Sequence, residues 1–216
     1  MKLHLGCGQR YFEGYVNIDY PLSEHSVQQT SVADEFANLF ELRYDKGTVD
    51  EVRLHHVFEH FSRAQASAML AAWNSWLKPG GVVHIEVPDF ERTARAVLSP
   101  FSSTKAKSVG LRHIFGSQEA HWALHFEGYT PKRLKRFLAL YGFEVNKTDL
   151  VRYLDIYNVT VIAEKKRNLT KAEFAEITKK YLSEFMVADV PSEQVLLDTW
   201  MKDYEAQVNK SFALNG

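Results

Sequence analysis

The feature that most constrains this chain is the alternation of short apolar strand patterns with helical ones. Strand patterns occur at Lys2–Leu5, Val16–Asp19, Val49–His55, Val82–Val87, near Phe143–Val145 and at Tyr157–Ala163. Between the third and fourth lies SRAQASAMLAAWNSWL, in which Ala66, Met69, Leu70, Trp73 and Leu77 recur at helical spacing and Ser62 with Gln65 forms a capping box. A second helix, TPKRLKRFLALYG, has Thr130 placed to cap it, Pro131 at its first position and Gly142 after its last turn. Such alternation predicts an α/β fold with a mostly parallel sheet covered by helices. After Lys166 the character changes. LTKAEFAEITKKYLSEF and SEQVLLDTWMKDYEAQV read as two amphipathic helices, so residues 168–216 are expected to be a helical extension of a domain spanning 1–167. Leu196, Trp200 and Tyr204 form an apolar face there that needs a cover, either intrachain or a second copy in a homodimer.

Charge and cysteine content narrow the class. A formal net charge of -1 gives no general attraction to nucleic acid, and the Asn/Asp-Pro-Pro-aromatic signature of amino-group methylation is missing. The single cysteine, Cys7, fits a reducing compartment. The opening MKLHLGCG has no basic stretch before a long apolar run, and no apolar run nears the roughly 20 residues of a membrane span. The expectation is a cytoplasmic protein with no membrane contact.

The chemistry concentrates where strands end. Gly6 and Gly8 follow the first strand at once, allowing a ligand to approach the backbone, and Asp19 ends the next strand, where a carboxylate can accept from both ribose hydroxyls. In open parallel sheets, ligands bind beyond these carboxyl ends. A dinucleotide fingerprint needs a third glycine at position 11, which is Tyr11, so a nicotinamide oxidoreductase is disfavoured and a nucleoside ligand without a diphosphate fits better.

LHLGCGQRYFEGYVNIDY, VDEVRLHHVFEHF and LKPGGVVHIEVPDF resemble, in order and spacing, three landmarks of the class I S-adenosylmethionine-dependent methyltransferases. The likeness covers roughly residues 2–165. RHIFGSQEAHWALHFEGYTPKRL adds a narrower similarity to small members associated with polysaccharide or sugar modification. The resemblance implies a Rossmann-like, seven-stranded methyltransferase fold with S-adenosyl-L-methionine as cofactor. It implies that Gly6, Cys7 and Gly8 line the methionine and ribose end, that Asp19 holds the ribose, that Asp34 (or Glu35) meets the adenine amino group, and that His56 and Val57 lie near the cofactor with Glu59 and His60 at the mouth. One position departs from the family's pattern: His4 stands where an acid is common, two residues before the first glycine.

Methyl transfer to a hydroxyl needs alignment and removal of one proton. The candidate bases are Asp89 after the fourth strand pattern, His60, and the pair His121 and His125 in AHWALHFEGY, with Trp122 and Phe126 as a platform for a sugar face. Asp89 equally fits a helix cap. His56/His60 and His121/His125 have the spacing of metal pairs, but neither brings an acidic third ligand, so no metal is expected. The polar stretch SPFSSTKAKSVG reads as a loop, with Lys105, Lys107 and Arg112 available to a phosphate-bearing acceptor. The competing class is a non-catalytic methyltransferase-like scaffold.

Overall fold

The computed structural model describes residues 1–24 and 30–213. Its centre is strand β1 (Lys2–Leu5), paired in parallel on one side with β2 (Val16–Asp19) and on the other with β4 (Val49–His55). The two-residue strand β3 (Glu35–Phe36) extends β2 outward. Beyond β4 lie β5 (Leu77–Pro88), β7 (Ile156–Lys165) and β6 (Phe143–Tyr153), giving the order β3-β2-β1-β4-β5-β7-β6. Only β7 runs against its neighbours. Strand order reverses at β1, because the chain first steps outward through β2 and β3 and then returns to the other side as β4.

All six predicted strands are present. β3 escaped because two exposed residues carry no periodicity.

Six α-helices accompany the sheet among the described residues: α1 (Arg63–Trp76), α2 (Phe90–Leu98), α3 (Thr104–Phe115), α4 (Pro131–Leu140), α5 (Lys171–Ser183) and α6 (Pro191–Ser211). The α1 capping box forms as expected, with Ser62 accepting from Gln65 N and Gln65 accepting from Ser62 N. Thr130 caps α4, and Gly142 follows it at φ +85°. The stretch expected to be a polar loop after Ser99 is instead largely α3, because Ser103 accepts from Ala106 N and starts a helix. None of these helices is long and apolar enough to cross a membrane.

Nearly every residue of α1 is buried, including Trp73 and Trp76, since the sheet packs on one side and α5 and α6 on the other. Phe174 of α5 and Tyr204 and Val208 of α6 belong to the same hydrophobic cluster as the sheet residues. The Trp76 indole donates to Ser211 O, and Arg43 Nε donates to Phe212 O. The apolar face expected to need a cover thus finds it within the chain at Tyr204. The extension shares the core of the sheet domain.

No helix joins β1 to β2, although parallel neighbours usually need one. Residues 6–15 cross as an irregular segment, and Phe12 and Tyr15 do the covering. The Arg53 guanidinium lies 4.8 Å from the Phe12 ring centroid and 5.2 Å from that of Tyr15. His4 packs edge-on to Phe12 at 4.6 Å and meets Asn17 Oδ1 through Nδ1 at 3.0 Å. His4 therefore faces this cluster and does not line the cavity described below.

Candidate active site

A cavity of about 1070 Å³ opens at the carboxyl ends of β1, β2 and β4, over the point where strand order reverses. Open parallel sheets place ligands there. Its floor is the turn Gly6–Cys7–Gly8. Gly6 adopts φ +65°, and a Cβ built on it would stand 2.4 Å from Val57 Cγ2. Only glycine fits between the strand end and that side chain. Gly8, at φ +56°, faces open space with nothing within 4 Å of a built Cβ.

Asp19 fixes this turn as well as lining the cavity. Its Oδ2 accepts from Gly8 N at 2.7 Å and its Oδ1 from Tyr20 N at 2.8 Å. Burial, reinforced by the Asp19 charge, pushes the Cys7 thiol up to about 12, so Cys7 is a neutral wall and no nucleophile.

Of the expected cofactor residues, Gly6, Cys7, Gly8, Asp19, His56 and Val57 all line the cavity. Asp34 does not. Its Oδ2 accepts from Asn17 N at 2.8 Å and Asn17 Nδ2 at 2.9 Å, tying the approach to β3 against β2. Glu35 is also outside, exposed at the start of β3. That wall is made instead by Tyr20, Leu39 and Phe40. A short turn capped by Asn38 carries the last two, and Gln207 of α6 holds Phe40 O at 2.7 Å. Sequence reasoning missed them because β3 is too short to mark where the third strand ends.

The candidate bases divide. His60 and His121 line the cavity, together with Trp122, Phe126, Arg112 and Glu119. Asp89 and His125 do not. The Asp89 carboxylate is buried, caps α2 by accepting from Arg92 N at 3.1 Å, and pairs with Arg92 Nε at 2.6 Å. It is a cap and an ion pair, and it stands outside the residues that line the cavity. His125 sits behind the wall, its ring 4.7 Å from that of His60 and its Nδ1 3.0 Å from His113 O. Of the three cations expected to attract phosphate, only Arg112 reaches the cavity.

His56 carries the wall's charge. It takes φ +56° at the end of β4, and its amide donates to Glu86 O at 2.9 Å. Burial opposes charging this imidazole, but Glu59 at 3.4 Å and Glu86 at 3.3 Å outweigh it and raise its pKa to about 9. The pairing with His56 also holds Glu86 down at about 2. Next to it, burial lowers His55 to about 4, and Arg10 Nη1 lies 2.7 Å from its Nδ1. A guanidinium only donates, so His55 accepts there and stays neutral.

No protein-family model matches the chain, and no curated protein does. Solved structures do. A chain of the complex between the Haloferax volcanii Trm112 methyltransferase activator and a methyltransferase matches at TM-score 0.53 and 15% identity, over 78% of this chain and 83% of that one. The 1,6-didemethyltoxoflavin-N1-methyltransferase of Burkholderia thailandensis, solved with its substrate and S-adenosylhomocysteine, matches at TM-score 0.50 and 15% identity, over 77% and 71%. LepI in complex with SAM matches at TM-score 0.50 and 12% identity, over 77% of this chain and 43% of LepI. A structure described as a pericyclic reaction enzyme matches equally well, so fold alone does not dictate the reaction. What these likenesses establish is architecture: the chain has the seven-stranded, mostly parallel α/β fold of the class I methyltransferases.

Proposed function

We propose that the chain is an S-adenosylmethionine-dependent methyltransferase that O-methylates a sugar, glycan or related small polar acceptor. One observation carries this reading: the large cavity lies over the Gly6–Gly8 turn and Asp19, at the reversal of strand order. The residues present fit the cofactor. Gly6 has no room for a side chain, Gly8 faces open space, and the Asp19 carboxylate stands beside them in the cavity lining. Leu39 and Phe40 supply an apolar wall for a base, and Asp19 would take the ribose hydroxyls.

When bound, S-adenosylmethionine supplies a methyl group on a cationic sulfur, which a nucleophile accepts without protonation of the leaving group. The protein's tasks are then to orient the acceptor, exclude water and take one proton. Trp122 and Phe126 offer apolar faces to a sugar ring, while Arg112 and Glu119 offer charge-assisted hydrogen bonds. An imidazole nitrogen of His121 receives the hydroxyl proton; it is exposed and stands in the same wall. The similar folds bound to S-adenosylhomocysteine and SAM support the choice of cofactor.

Calorimetric titration with S-adenosylmethionine tests the reading directly. Saturable one-to-one binding is expected, weakened in Asp19→Ala by about 1.5–3 kcal/mol for each charge-assisted bond lost. Incubation with sugar nucleotides and glycan fragments should then yield products heavier by one methylene in mass spectra. A folded chain that binds no S-adenosylmethionine is the scaffold and not the enzyme.

A further inference from the structure

Where the end of β4 meets segment 116–127, three side chains converge that the proposed transfer leaves unused. Glu59, His60 and His125 each present one donor atom, and these atoms lie within 4.8 Å of one another. We propose that they bind a divalent first-row transition metal ion, with zinc the best match to the donors.

The Glu59 carboxylate is buried, and neither of its oxygens has a hydrogen-bond partner among the described residues. A buried carboxylate needs positive charge beside it, and the neighbour that supplies it, His56, is shared. His56 Nδ1 approaches to 3.4 Å without hydrogen-bond geometry, and that imidazole also serves Glu86. The two other donors are prepared for a metal. His60 Nδ1 lies 3.0 Å from Leu124 O, and His125 Nδ1 lies 3.0 Å from His113 O. Carbonyls only accept, so both Nδ1 atoms carry a proton, and in the neutral imidazole the Nε2 lone pair is the one left to bind a metal. A hydrogen bond on the far nitrogen is what orients a ligating histidine.

The scaffold holds these groups in register. Phe126 N and Glu127 N donate to Glu59 O at 2.9 and 3.3 Å, fixing the two segments together. Ligands ~2.1 Å from a tetrahedral ion stand ~3.4 Å apart. The separation of 3.9 Å between His125 Nε2 and Glu59 Oε1 closes to that by side-chain rotation. Two imidazoles and a carboxylate suit zinc and leave at least one coordination position open. Each sequence pair, His56/His60 and His121/His125, lacked an acid; the fold takes one histidine from each and adds Glu59. An ion there would pin the segment bearing His121, Trp122 and Phe126 to the end of β4.

The test uses the full chain, free of affinity tags and stripped with chelator, titrated with Co²⁺ while its visible spectrum is recorded. One Co²⁺ per chain is expected, with the ligand-field bands of four- or five-coordinate cobalt, displaced by equimolar Zn²⁺. His60→Ala, His125→Ala and Glu59→Gln should each weaken binding at least tenfold, whereas His121→Ala should leave it intact. Circular dichroism identifies the variants that fold, and should Glu59→Gln fail, His125→Ala carries the comparison. A folded wild-type chain with no stoichiometric Co²⁺ uptake overturns the proposal. Binding lost in His121→Ala but kept in His125→Ala overturns it equally. Neither readout needs cofactor or turnover, so a failure here is distinct from a failure of the methyl-transfer reading.

Discussion

Gly6 and Gly8 share a left-handed backbone but differ in what surrounds them, and that difference separates two substitutions. An alanine at position 8 pays only the left-handed strain of about 1–2 kcal/mol, because the space beyond it is open. At position 6 the methyl also meets Val57 at 2.4 Å, adding overpacking of about 1–3 kcal/mol. Thermal denaturation should therefore show Gly6→Ala as clearly less stable than Gly8→Ala; equal melting temperatures would contradict the geometry. His55 gives a pH dependence. Its folded-state pKa of about 4 lies below the ordinary 6.5, so between those values the unfolded chain binds the extra proton. Stability must then fall as pH drops from 6.5 towards 4, by about 2 kcal/mol after allowance for partial exposure. His4 and His84, also held below 6.5 by burial, act in the same direction. Urea unfolding across that range should show the decline, and His55→Gln should flatten it. At this scale the cavity positions of the glycines, Asp19, His56 and Val57 were legible because each lies at or just beyond the end of a strong strand. Asp34 falls outside that lining, because nothing in the sequence marks a two-residue strand.

Helix ends were the most legible elements, since capping is local chemistry. Ser62, Thr130 and Thr170 all accept from the backbone amide three residues on, as N-cap residues do. Asp89 obeys the same rule, and the sequence left its two roles open because a cap and a base both follow a strand end. The roles make opposite forecasts. Asp89→Asn keeps an acceptor for Arg92 N and should retain turnover and most stability. Asp89→Ala should lose about 1 kcal/mol for the cap, and more for the stranded Arg92. If Asp89→Asn folds normally yet abolishes methyl transfer, the cap assignment is incomplete. What local chemistry cannot announce is a meeting of distant segments. His125 reaches Glu59 and His60 only because two amides of the 116–127 segment bond Glu59 O. Likewise, the segment after Ser99 reads as polar, but its helix α3 follows from a single cap at Ser103.

For the whole molecule, the boundary near residue 167 is visible in sequence as a change of pattern but not in the core. Phe174, Tyr181, Tyr204 and Val208 are buried with the sheet residues, and α6 covers α1. A chain ending at Arg167 should consequently fail to fold, exposing Trp73 and Trp76; gel filtration and near-ultraviolet circular dichroism would report aggregation or loss of fixed tertiary contacts. A monomeric, native-like spectrum from that fragment would show the helices to be dispensable. The closure of Trp76 on Ser211 and of Arg43 on Phe212 also has a temporal side. Synthesis runs at about 5–20 residues per second, so roughly 7–27 s separates the appearance of Trp76 from that of Ser211. Throughout that interval Tyr44 is already present to face the Trp76 ring, but the indole N–H still lacks its native acceptor. Helix α1 can reach its final packing only after the residues around 211 have left the ribosome.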